Sequence, residues 1–136
     1  MTDLDTTELL PTKFEPILRN RFILSFDNLD IPSYLVKSVR LSELRKDSIN
    51  QVEVIVMDMQ GLNLLYKVGS PIVLGTPITF SIKFLNCEGV VIRKTVYSDS
   101  ILMSCLGKTL SYKKKKSSNQ LMTYSLLFNT PNIQLD

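Results

Sequence analysis

Histidine is absent from this chain. That removes the side chain that most often serves as general base, as metal ligand and as partner of a Ser or Cys nucleophile. Two cysteines remain, Cys87 and Cys105. Their spacing matches no metal motif and they are too few for a disulfide framework, so both read as buried free thiols. The carboxylates form no catalytic pair. Asp27 and Asp30 flank a turn, and Asp58 follows a strand, where it can cap a helix that begins nearby. The five glycines have neither GxGxxG nor GxxxxGK spacing, so no phosphate cradle is indicated. These residue types predict no enzyme, no cofactor and no metal.

Charge is the chemistry left. The net charge is +3, but it is unevenly placed. Residues 1–15 carry Asp3, Asp5, Glu8 and Glu15 against Lys13, a balance of −3. Residues 108–116 carry Lys108, Lys113, Lys114, Lys115 and Lys116, a balance of +5 with no acid. One basic spot in a chain otherwise close to neutral points to a local contact. Three readings of Lys113–Lys116 stand side by side: a solvated loop that keeps sheet edges from pairing with strangers, a docking point for an acidic protein surface, and a phosphate contact. The last is disfavoured because a base-stacking platform needs aromatics beside the cations, and none lies within the run. Phe80, Phe84 and Phe128 read as core.

The elements that must position these charges follow from periodicity. With 136 residues, 44% apolar and 21% charged, the chain predicts one compact domain. No apolar run reaches the ~20 residues of a membrane helix, and the amino-terminal residues do not resemble a secretory signal. Residues 1–13 read as an acidic arm and 14–136 as a single β domain. Phe22, Leu24 and Phe26 share one face of a half-buried strand. Tyr34–Leu41 fits strand or helix and is read as a strand, because Pro32 opens it and it is short. Residues 42–50 read as a loop. Val52, Val54 and Val56 alternate in a β-branched strand. Gly61–Val68 predicts a helix of about two turns, ended by Gly69 and Pro71.

Ile78, Phe80, Ile82 and Phe84 alternate. Asn86–Gly89 turns the chain, with positive φ expected at Gly89, and Val90–Val96 returns it as the second arm of a hairpin. After a polar break at Ser98–Ser100 come strands at Ile101–Leu106, Thr109–Tyr112 and Leu121–Phe128, the last two separated by the basic loop. Met122, Tyr124, Leu126 and Phe128 share one face of the final strand, and Leu121 and Leu127 lie on the other. A strand apolar on both faces needs cover on both, which a neighbouring subunit could supply. The pattern predicts a mainly β fold: an antiparallel β-sandwich or barrel of six to seven strands with one short α-helix.

The order of motifs is more specific than its parts. Lys13-Phe14-Glu15-Pro16, then Asn20-Arg21-Phe22-Ile23-Leu24, then Ile31-Pro32-Ser33-Tyr34-Leu35-Val36-Lys37-Ser38 resembles the opening of the tail-tube proteins of contractile-tailed bacteriophages. Those begin with an "NRF" strand and an "IP-aromatic" segment ending in a lysine. Val52–Asp58, the hairpin Ile78–Val96, Leu110-Ser111-Tyr112 and Leu121–Phe128 are similar to later parts of the same family, so the resemblance spans about residues 13–129.

It implies a structural protein of the virion, assembled in the host cytoplasm. Six copies would form a ring, and stacked rings a tube that passes DNA without gripping it. Sheath and baseplate proteins would be neighbours. A baseplate, tube-initiator or tube-terminator protein of the same fold is the near alternative. A nucleic-acid-binding β-barrel of the OB type is the distant one. Within the assembly reading, Asp3, Asp5 and Glu8 of one copy are expected to dock on Lys113, Lys114, Lys115 and Lys116 of another, with the lysines turned away from the channel.

Overall fold

A computed structural model describes residues 17–41, 50–107, 110 and 122–135. Among these residues seven antiparallel strands make one sheet: β1 (Phe22–Phe26), β2 (Val36–Leu41), β3 (Asn50–Met57), β4 (Pro77–Leu85), β5 (Val91–Gly107), β6 (Thr123–Thr130) and β7 (Asn132–Leu135). A 3-10 turn, Ser33–Leu35, leads into β2, and a helix α1, Leu64–Leu74, joins β3 to β4. The strand order is β1-β4-β5-β6-β3-β2, with β7 paired to β5.

The sheet folds on itself because β5 serves both halves. Its first part pairs with β4, from Val91 opposite Leu85 to Ile101 opposite Pro77. Its last part pairs with β6, from Ile101 opposite Asn129 to Gly107 opposite Tyr124. Asp99 stands between them at φ +53°, in the left-handed region that few side chains other than Asn and Asp enter readily. The register shift between Ile78 and Phe80 lies beside it. Its backbone N–H donates to Thr79 Oγ1 at 3.3 Å. The polar break expected at Ser98–Ser100 is therefore a bend inside one 17-residue strand. Ser98 pairs with Asn132 and Ser100 with Ile78, while Asp99 takes no register position, like the extra residue of a bulge, and the strand continues past it.

The core lies between the two halves. Phe80 stacks on Tyr97 with ring centroids 4.8 Å apart and meets Phe128 at 5.0 Å, and Phe26 lies 5.8 Å from both phenylalanines. Phe80 and Phe128 are fully buried, each worth roughly 1.5–3 kcal/mol relative to exposure. The alternation read from the sequence holds throughout β3 and in the middle of β1, β4 and β6, although Ser81 and Thr123 on the other face are buried too. Leu24, Val52, Val54, Val56, Ile78, Ile82 and Leu126 all face inward and are buried. Phe84, expected in the core, is half-buried at its margin.

Asn28 ties the turn after β1 to the start of β4. Its Nδ2 donates to the Pro77 carbonyl at 2.7 Å, and its Oδ1 accepts from the Thr79 N–H at 3.0 Å. Asn86 organises the hairpin turn in the same way, its Oδ1 accepting from the N–H groups of Glu88 and Val90, each at 2.9 Å. Gly89 follows at φ +82°, as its place in the turn requires.

Three expectations need correction. The helix does not end at Gly69. It runs on to Leu74, with Pro71 inside and Gly75 at φ +65° as its cap. The αL stop is six residues later than the sequence pattern suggested, and Pro71 removes one donor without stopping the helix. Cys87 is exposed, because the turn that needs Asn86 and Gly89 holds it at a hairpin tip; Cys105 is half-buried. Finally, β7 was not anticipated: Asn132-Ile133-Gln134-Leu135 alternates polar and apolar, but over only four residues after Pro131, too short a pattern to stand out. Of the strand expected at Thr109–Tyr112 only Leu110 is described, and it belongs to no strand; the loop expected at residues 42–50 lies outside the described residues except for Asn50, which opens β3.

Candidate assembly surfaces

The acidic arm with Asp3, Asp5 and Glu8 and the basic loop Lys113–Lys116 lie outside the described residues, so the geometry begins elsewhere. Among the described residues no group of three or more Cys, Asp or Glu side chains is placed to hold a metal. Asp30 is engaged with Lys67, whose Nζ donates to both its Oδ2 and its carbonyl oxygen at 2.9 Å. Asp58 accepts from the Met59 N–H at 2.8 Å and from the Leu64 N–H at 3.4 Å. It thus caps α1 from outside, as its position after β3 suggested, while Asn63 itself makes no side-chain cap. Burial pushes the Tyr97 phenol up from its ordinary range. Burial, and then the negative Asp58 nearby, raises the Cys105 thiol. Both shifts disfavour the reactive anion, which suits structural rather than nucleophilic roles. No helix among the described residues is long and apolar enough to cross a membrane.

Four surfaces are built instead. The first is a pair of sheet ends: β1 and β2 close the strand order, and each leaves a row of backbone groups without a ladder partner among the described residues. The second is the outward face of β2, β3, β6 and the end of β5. Arg40, Glu53, Leu127 and Ser104 form one cross-strand row there, and Ser38, Ile55, Ser125 and Leu106 the next. Gln51 Nε2 donates to Asn129 Oδ1 at 3.1 Å in the row beyond. Leu127 is half-buried on this face and its neighbours are mostly polar. The final strand is therefore apolar on both sides at Leu127 and not along its described length.

The third surface is basic. Lys83 lies directly opposite Lys94 on the outward side of β4 and β5, with Ile23 of β1 completing the row. Among the described residues neither lysine has an acidic partner. Like charges facing each other across strands weaken the sheet. The fourth surface is apolar. Leu64, Val68 and Ile72 turn one side of α1 into the core, while Leu65, Tyr66, Val73 and Leu74 stand exposed on the remainder. Sequence reading missed this face because it ended the helix at Val68, before Val73 and Leu74 could join Leu65 and Tyr66. The available signal was composition: from Leu64 to Leu74 only Lys67 is charged.

No family model matches the sequence, and no curated protein matches it either. The fold, by contrast, is shared with solved structures. The sheath–tube complex of the PVC extracellular contractile injection system contains a chain that superposes with TM-score 0.68 at 16% identity, covering 96% of this chain and 97% of that one. A chain of the sheath/tube terminator of the same system gives TM-score 0.66 at 16% identity, over 89% and 96% of the two chains. Hcp1 from Flavobacterium johnsoniae gives 0.56 at 11% identity, over 85% and 94%. Identities this low speak to architecture alone, and the coverage is nearly complete in both directions. The antiparallel sheet and helix α1, seven strands and one helix among the described residues, thus make the tail-tube-like fold, found also in the tube, terminator and baseplate assemblies of contractile injection systems and in Hcp1.

Proposed function

We propose that this chain is a structural subunit of a tail tube: six copies close a ring, and rings stack into a conduit that carries DNA to the host in a bacteriophage tail. The observation that supports it most is the end-to-end superposition on a chain of a sheath–tube complex at TM-score 0.68. The free sheet ends at β1 and β2 supply the physical motive. Edge-to-edge joining satisfies exposed backbone groups, and a head-to-tail contact that closes makes a ring. Other tube rings, a sheath and a baseplate are the partners this reading names. The chain's own chemistry fits a structural role, with no histidine, with Asp58 engaged in a helix cap and with Asp30 engaged in an ion pair.

The terminator superposition, at TM-score 0.66, favours a tube-end or baseplate position as the second reading. Negative-stain electron microscopy of the purified chain tests both. Long stacked tubes with sixfold end views support the main subunit. Isolated sixfold rings that never stack support a tube end. A monomer at all concentrations removes both. An electrophoretic mobility shift at physiological salt addresses the conduit: little binding to duplex DNA is expected, since firm phosphate contacts would slow passage, and tight salt-sensitive binding would favour the OB-like alternative.

A further inference from the structure

The outward side of α1 is uncovered among the described residues. Tyr66 is 81% exposed, Val73 83%, Leu74 73% and Leu65 54%. The helix's one charge, Lys67, reaches away to Asp30. A surface helix ordinarily sets charged residues opposite its buried stripe, whereas one apolar on all sides is buried in the finished structure. These four side chains expose roughly several hundred Å², at the upper limit of what lone soluble proteins show. That is a large part of the roughly 800 Å² that each partner contributes to a standard interface.

Gly69 sharpens the point. It lies between Leu65 and Val73 on this face, its φ is not in the left-handed region, and a Cβ added there meets nothing within 4 Å. Neither backbone conformation nor packing among the described residues calls for glycine, and glycine weakens a helix interior relative to alanine. A missing side chain on an apolar face lets another backbone come close.

The same chain carries a second exposed apolar cluster, Val90, Val91 and Ile92, at the tip of the β4–β5 hairpin. Helix and tip lie at opposite ends of the nine-residue β4, roughly 30 Å apart. Patches at opposite ends of one molecule join copies head to tail, and such contacts propagate. We propose that the outward face of α1 receives the β4–β5 hairpin tip of a second copy, with the tip's backbone passing over Gly69. This rests on the reading of the chain as a stacking tube subunit and names the surface by which copies meet.

The test uses the full chain. Gly69→Leu fills the gap with a stronger helix former, and Val73→Asp charges a residue that the protomer leaves in solvent. Both are expected to keep the wild-type melting temperature within a few degrees while the sedimenting, assembled fraction falls at least ten-fold. Val73→Cys together with Val91→Cys, in a Cys87→Ser background, should give an interchain disulfide ladder on oxidation that neither single cysteine gives. If wild type assembles and both helix variants assemble equally well, the inference falls and the tube reading stands. Lost assembly without the ladder overturns the hairpin tip as occupant. A wild type that never assembles takes the tube reading down, and the inference with it.

Discussion

Phe80 touches Phe26, Tyr97 and Phe128, and it reaches both halves of the folded sheet. Phe80→Ala should therefore cost about 3–5 kcal/mol, read as a shift in denaturant midpoint. Lys67→Ala removes an ion pair whose carboxylate is almost fully in water, so stability should change by no more than about 1 kcal/mol. Tyr97 and Cys105 set a pH dependence. Both carry native pKa values raised by burial, so above their ordinary range the unfolded chain releases protons that the native chain keeps. Stability is then full below about pH 9 and falls as pH rises through the thiol and phenol ranges. Urea midpoints from about pH 8 to pH 11 should show that decline, and Tyr97→Phe should flatten its upper part. A midpoint indifferent to alkali would contradict the burial of both groups. Asp58→Asn keeps much of the cap but removes a charge, so Cys105 should react with a disulfide probe at lower pH in a Cys87→Ser background.

At the scale of elements, β5 decides the architecture. Its bend at Asp99 hands the strand from β4 to β6, and the bend depends on a positive φ. Asp99→Val, β-branched in the left-handed region, should destabilise by about 1–2 kcal/mol, while Asp99→Gly should stay close to wild type. Thermal melts of the two variants separate a conformational requirement from a role of the carboxylate, which would make both equally damaging. The helix shows the opposite relation between sequence and structure. Its boundaries were legible only in part, since Gly69 and Pro71 are stop signals in isolation. Packing of Val68 and Ile72 on the core carries it past both.

For the whole molecule, the charge placement remains the sequence's own contribution. We propose that the arm bearing Asp3, Asp5 and Glu8 docks on Lys113–Lys116 of a neighbouring copy or ring. Each exposed pair would contribute only about 0–1 kcal/mol, but repetition around a ring and along a stack adds up. Changing all four lysines to Glu should shorten tubes seen by electron microscopy, more at low salt than at high. Tubes of unchanged length at both salt concentrations would end the idea. The described residues add a second basic feature, Lys83 opposite Lys94, which the linear charge count did not reveal. The two residues stand eleven apart in the chain, and only strand pairing makes them neighbours.

The sequence by itself determined the mainly β character, the inward-facing residues of β3 and of the middles of β1, β4 and β6, and the Asn86–Gly89 turn. Each of these depends on local periodicity or on residue type, which the order of residues records directly. Only the tertiary structure decided that one long strand serves both halves of the sheet, that β7 adds to β5, where α1 ends, and which of its residues are left facing solvent. Those outcomes depend on partners far along the chain. A strand's continuation is settled by its ladder neighbours, and a helix's bare side by what its other side has already covered.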